Sequence, residues 1–149
     1  MLNRLRIALV MLALVASPGA AGLFSSSSLT ALASNPLVSS LISGLGLNPT
    51  QAVGGAGALL GLAQAKMPKA DWSKLAKLVP GASSLISQAK SLGGIKQFTN
   101  LAGLAPAFGK MGLSTDQVKT IQPEISSFIA KAGGAGGADL AKKFDAAIK

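Results

Sequence analysis

The chain has 149 residues, 49% of them hydrophobic, and a formal net charge of +9 from fourteen lysines and arginines against five acids. It holds no histidine, cysteine or tyrosine, which excludes imidazole acid–base and metal chemistry, thiol nucleophiles and disulfide staples. No ionisable side chain stands between Arg6 and Lys66, so the sequence divides into an apolar start, an uncharged polar leader and a basic body.

Arg4 and Arg6 precede an unbroken apolar run from Ile7 to Ala16, and Ser17-Pro18-Gly19-Ala20-Ala21-Gly22 follows with small residues. This is the three-part layout of a secretory signal peptide, expected over 1–21, with cleavage after Ala21 and with Ala20 and Gly22 as neighbouring alternatives. The run is too short to cross roughly 30 Å of hydrocarbon, so no transmembrane anchor is expected after cleavage. No cysteine follows to carry a lipid. Removing both arginines lowers the charge from +9 to +7 and leaves lysine as the only cation. Lysine is a hydrated point charge without the planar fork that reads phosphates and bases bidentately, so specific nucleic-acid recognition is not expected.

Residues 22–35 contain the run Ser25 to Ser28 and read as a flexible Ser-rich leader. Leu37, Leu41, Ile42 and Leu45 share one helical face, which predicts a first helix from Pro36, capped by Asn35 and ended by Gly44 and Gly46. Asn48-Pro49-Thr50-Gln51 opens a second helix, since Asn caps well and Pro loses nothing at the first helical position. Four glycines within it, Gly54, Gly55, Gly57 and Gly61, each cost about 1 kcal/mol against alanine. Close packing is expected to offset this, with Gly54, Gly57, Ala58 and Gly61 on one side admitting another backbone.

Met67-Pro68 breaks the chain before a third helix, whose apolar stripe is Trp72, Leu75, Ala76 and Val79 and which Pro80-Gly81 stops. Ser83 to Leu92 predicts a fourth, closed by Gly93-Gly94. Ile95 to Lys110 predicts a fifth through Phe98, Leu101, Ala102 and Ala105, interrupted at Pro106. Ser114 caps the next helix, in which Ile121, Ile125, Phe128, Ile129 and Ala132 recur and Pro123 makes a kink. Gly133 to Gly137 is a break, after which Leu140, Ala141, Phe144 and Ile148 define a terminal amphipathic helix. No segment alternates with the period of a strand. The expectation is an all-α fold: one compact bundle of about five to seven short helices over 36–149, behind the signal peptide and leader.

Gly46-Leu47-Asn48-Pro49-Thr50-Gln51 and Gly112-Leu113-Ser114-Thr115-Asp116-Gln117 share a cap-and-glutamine pattern, and Asp71-Trp72-Ser73-Lys74 is echoed by Asp139-Leu140-Ala141-Lys142. Two pseudo-repeated halves, 46–80 and 112–149, would explain both, and so would chance recurrence of helix-start motifs.

The stretch from Gln51 to Ala63, followed by Leu78-Val79-Pro80-Gly81 and Gly112-Leu113-Ser114, resembles the VcgC/VcgE family, a bacterial domain of unknown function. The resemblance runs from about Leu41 to Lys149. It implies an exported bacterial protein with a helical fold, and it carries over no catalytic residue.

The remaining motifs are weak. Five residues, not four, separate Gly103 from Gly109, and Met111 stands where a phosphate loop needs Ser or Thr. Gly55, Gly57 and Gly61 have no preceding strand and no acid about twenty positions on, so helix packing explains them better than a dinucleotide. Ser87 and Lys90 have the spacing of a lysine-activated serine, but that chemistry needs a desolvated lysine and an oxyanion site. Asp139 with Lys143, and Asp145 with Lys142 or Lys149, are spaced as surface pairs. No catalytic, cofactor or metal residues are therefore assigned.

Trp72 reads as core or as an exposed anchor acting with Met67, Lys69, Lys74 and Lys77; Leu140, Phe144 and Ile148 with their lysines read as core or as a helix lying on an anionic bilayer. The leading functional expectation is a non-enzymatic accessory or binding module, periplasmic or secreted. Lys69, Lys74, Lys77, Lys142, Lys143 and Lys149 are the candidate contacts with an acidic envelope protein, a glycan or an anionic lipid surface. A membrane-active cationic protein is the alternative, and a serine-dependent hydrolase the remote one.

Overall fold

A computed structural model of the chain describes residues 31–149. The expected signal peptide at 1–21 and the leader up to residue 30 lie outside the described residues. From residue 31 the leader is helical through 33, and Asn35 then accepts a hydrogen bond from the Leu37 N–H (3.0 Å) to start the next helix.

Seven α-helices follow: α1 (Pro36–Leu45), α2 (Pro49–Lys66), α3 (Lys69–Leu78), α4 (Ala82–Gly93), α5 (Ala105–Lys110), α6 (Thr115–Ala132) and α7 (Gly137–Ala147). With the segment ending at 33 this makes eight, slightly more than the five to seven expected. No strand occurs among the described residues. Of the three predicted caps, Asn48 and Ser114 form full capping boxes. The Asn48 and Ser114 side chains accept the N–H groups of Gln51 and Gln117, and those glutamine side chains accept from the cap backbones in return. Gly46 and Gly94, at φ 65° and 63°, close α1 and α4 in the left-handed conformation that glycine takes without strain. Gly44, expected to help end α1, lies inside it.

The organising element is α2. Every residue from Ala52 to Ala63 is buried, because this segment is apolar all the way round and has no face for water. Helices α1, α3, α4, α6 and α7 all pack against it, α4 most extensively. Its glycines do not share one partner as expected from their spacing. At Gly57 the α4 backbone comes so close that a Cβ would lie 2.6 Å from the Leu85 carbonyl carbon and closer still to its oxygen. Gly61 receives the Phe98 ring, Gly54 the Met111 side chain and Gly55 that of Ile121. Ala58 is fully buried among them. One glycine admits a backbone, and three are sockets for side chains from other elements.

Phe98 also explains where the fifth helix departs from its apolar spacing. Residues 95–100 are irregular, a 3-10 turn spans Ala102–Leu104, and α5 begins only at Ala105 with Pro106 in its first turn. Proline there starts a helix rather than interrupting one, and turning Phe98 into the Gly61 socket takes the preceding residues out of helical register. Helix α6 runs on through Pro123, which is exposed, so water can reach the Lys119 carbonyl that loses its intrahelical donor. The Gly133–Gly137 run forms a tight corner containing a 3-10 turn, Gly134–Gly136. A Cβ on Gly133 would lie 2.5 Å from Gly137 Cα, and one on Gly137 2.5 Å from the Ala130 carbonyl oxygen. That corner folds α7 back along α6.

Glycine substitutions separate contact from propensity. Gly57→Ala is expected to lower unfolding free energy by about 1–3 kcal/mol, because the obstacle is backbone. Gly109→Ala, on α5 with nothing within 4 Å of a new Cβ, is expected to raise it by about 0.5–1 kcal/mol. Denaturant titration of both variants checks the pair.

Candidate functional site

All twelve lysines are exposed, as the cost of burying an unpaired ammonium requires. The fold gathers some that are far apart in sequence. Helix α3 packs against α6 and α7, and Lys143 Nζ on α7 meets Asp71 on α3 at 2.9 Å. Asp71 is only 15% exposed at its side chain. At the end of α2, Lys66 Nζ donates to the Lys149 carbonyl at 3.4 Å. Lys66, Met67, Pro68 and Asp71 face Lys143, Ala146 and Ala147 across a shallow hollow of about 400 Å³. Lys142 stands one turn before Ala146 and so points along the same side of α7.

Lys142, Lys143 and Lys149 thus share an edge with Lys66, which sequence spacing had not singled out. Lys69, Lys74 and Lys77 are exposed along α3, and no ion pair or hydrogen bond joins them to this edge. Part of the pattern is helix chemistry, since Lys66, Lys77, Lys90 and Lys131 occupy last turns, where a cation meets the negative end of the helix dipole.

The ion pairs expected along α7 from local spacing do not form. Lys143 reaches Asp71 instead of Asp139. Asp145 accepts hydrogen bonds from Ser126 Oγ and, at 3.4 Å, from Gln122 Nε2, tying α7 to α6 instead of meeting Lys142 or Lys149. Asp139 stays in the first turn of α7, where the helix dipole favours it.

Ser87 is exposed on an open hollow of about 440 Å³ with Ser83, Ser84 and Gln88. Lys90 does not line that hollow; it is exposed, with Nζ 5.4 Å from the Phe98 ring centroid, a cation–π arrangement. It has neither the desolvation nor the aim that would activate Ser87. Trp72 is half-buried against the core, Met67 is buried, and Leu140, Phe144 and Ile148 are buried within it. The apolar faces considered as membrane or partner anchors are thus occupied by the fold. Among the described residues, no helix is long and apolar enough to cross a membrane, and no group of three acids assembles that could hold a metal ion.

These features define an all-helical domain with a close-packed apolar centre and a lysine surface. The chain belongs to the family described as a protein of unknown function, VcgC/VcgE (DUF2780), whose model matches residues 16–144. The match begins well before the glycine-rich helix α2. No curated protein and no solved structure matches the chain.

The pairing of Asp145 is testable. Asp145→Ala should cost about 1–2 kcal/mol by removing charge-assisted hydrogen bonds at a half-buried position, whereas Asp139→Ala should cost about 0.5 kcal/mol or less. Thermal and denaturant unfolding of the two variants distinguishes α6–α7 clamping from surface pairing along α7.

Proposed function

We propose that this protein is an exported, non-enzymatic accessory module of the bacterial envelope that binds an acidic surface through its lysines. The observation that carries the reading is the edge where Lys66, Lys143 and Lys149 converge from α2 and α7. Five acids oppose twelve lysines over the described residues, and Asp71 and Asp145 are already engaged within the fold. The surplus positive charge therefore faces solvent, where it attracts polyanions over about a Debye length. Lysine without arginine suits a diffuse acidic partner, such as an acidic protein, a glycan or a lipid head group, better than a bidentate one. The charged-then-apolar start with small residues up to Ala21 supports export. Burial of α2 and of the apolar face of α7 favours docking of the intact bundle over insertion of its helices.

Two experiments test this. Expression of the full chain in a bacterial host should deliver it outside the cytoplasm with Gly22 as its first residue; retention in the cytoplasm with Met1 in place would contradict export. The processed protein should bind heparin and phosphatidylglycerol vesicles at low salt, and lose both as salt rises. Lys66→Glu, Lys142→Glu and Lys149→Glu together should weaken binding about tenfold. Reversal of Lys90 and Lys110 should weaken it far less, and equal losses would remove the edge as the contact surface.

A further inference from the structure

Between α4 and α5 lies a stretch without a backbone ladder. Gly94, at φ 63°, ends α4, and the Ile95 N–H donates to the Lys90 carbonyl at 3.0 Å. From Lys96 to Ala102, no N–H group donates to a main-chain or side-chain acceptor among the described residues. Local hydrogen bonding resumes where the Gly103 N–H meets Asn100 Oδ1 at 2.6 Å and the Leu104 N–H meets the Leu101 carbonyl at 3.1 Å. Within the stretch, Phe98 and Leu101 alone are half-buried, and the other side chains are exposed.

Phe98 is the anchor. A Cβ on Gly61 would lie 2.6 Å from both Cε atoms of the ring, so the ring tip fills the place of the side chain that α2 lacks there. Lys90 Nζ stands over the ring, 5.4 Å from its centroid. Leu101 forms part of an apolar cavity of about 420 Å³, whose lining includes Ala105, Phe108, Leu113 and Val118. The neighbouring helices do not need this stretch to stay together. A Cβ on Gly93 would lie 2.9 Å from Ala107 Cβ, so the end of α4 rests directly on α5, which also packs against α6. A segment with few apolar contacts and no ladder is where a fold opens below the free energy of global unfolding. Gly94 and Gly103, at its two ends, can take up the change in φ and ψ.

We propose that residues 96–102 form a strap that lifts away from the bundle as a unit, with Phe98 in the Gly61 recess as its latch. Lifting uncovers the Gly61 flank of α2 and carries Leu101 out of the cavity wall. Helix α2 keeps its own hydrogen bonds, and α4, α5 and α6 stay packed. The strap is thus a gate on the cavity, and none of the lysines of the edge lies on it.

Digestion of the native protein by a lysine-specific endoprotease over a urea series tests the latch, since cutting of a briefly opened segment follows the population of the open form. The Lys96–Gln97 bond should be cut first, at a rate almost independent of urea below the unfolding transition. Cutting after Lys119, inside α6, should instead rise with urea as global unfolding does. Phe98→Ala should speed cutting after Lys96 at least about tenfold relative to cutting after Lys119, because it removes a packed aromatic ring. Lys90→Gln, an exposed substitution that leaves the core intact, should speed it about threefold, the size of an exposed cation–π contact. A soluble nitroxide should broaden the methyl signals of Leu113 and Val118 more strongly in Phe98→Ala than in the parent protein, because both are buried while the strap is closed. Cutting after Lys96 that climbs with urea in step with cutting after Lys119 would overturn the proposal. So would an unchanged ratio of the two cuts in both variants, or equal nitroxide broadening.

Discussion

The close approach of α4 to α2 at Gly57 is the constraint on which the rest of the structure depends. A side chain there would meet the Leu85 carbonyl, and main chain cannot step aside as a flexible side chain can. With that contact made, α2 is enclosed on one flank, and the remaining glycines become recesses for Met111, Ile121 and Phe98. Those three residues come from the α5–α6 connection, from α6 and from the segment after α4. A helix with weak intrinsic propensity therefore holds distant parts of the chain. Its stability is tertiary, as expected where packing of a buried segment offsets the entropy that glycine loses on ordering.

Placing the uncharged stretch from Ala52 to Ala63 of α2 at the centre leaves the ionisable groups for the outside and for the seams between elements. Asp145 bridges α7 to α6, and Asp71 receives Lys143 from α7. Both contacts fix how the last helix sits, and hence where Lys142, Lys143 and Lys149 emerge. The lysine edge and the apolar cavity are consequences of the same docking, because each is lined by residues that only the tertiary fold brings together.

Features that depend on a few consecutive residues were legible in the sequence. Asn48 with Gln51 and Ser114 with Gln117 announced two helix starts, and the structure forms both caps. The uninterrupted small and aliphatic residues from Ala52 to Ala63 announced burial. What spacing missed was the identity of partners. The recurrence of Phe98, Leu101, Ala102 and Ala105 is compatible with a helix, but the Gly61 socket and the placement of Pro106 favour an irregular crossing. Asp145 lies at helical spacing from Lys142 and Lys149, yet a neighbouring helix offers Ser126 and Gln122. Lys66 joins Lys149 across 83 positions, a meeting no local pattern encodes. Glycine spacing signalled close contact without revealing that four different groups would make it.

The central claim is that α2 is the innermost element and opens only when the whole bundle does. Native-state hydrogen exchange read residue by residue measures this directly. Amides from Ala56 to Ala63, whose carbonyl partners lie within the helix, should be the slowest in the chain and exchange with the free energy of global unfolding. Exchange of those amides as fast as that of exposed positions on α3 or α7 would show that the glycine-rich helix is not the core, and would contradict the account.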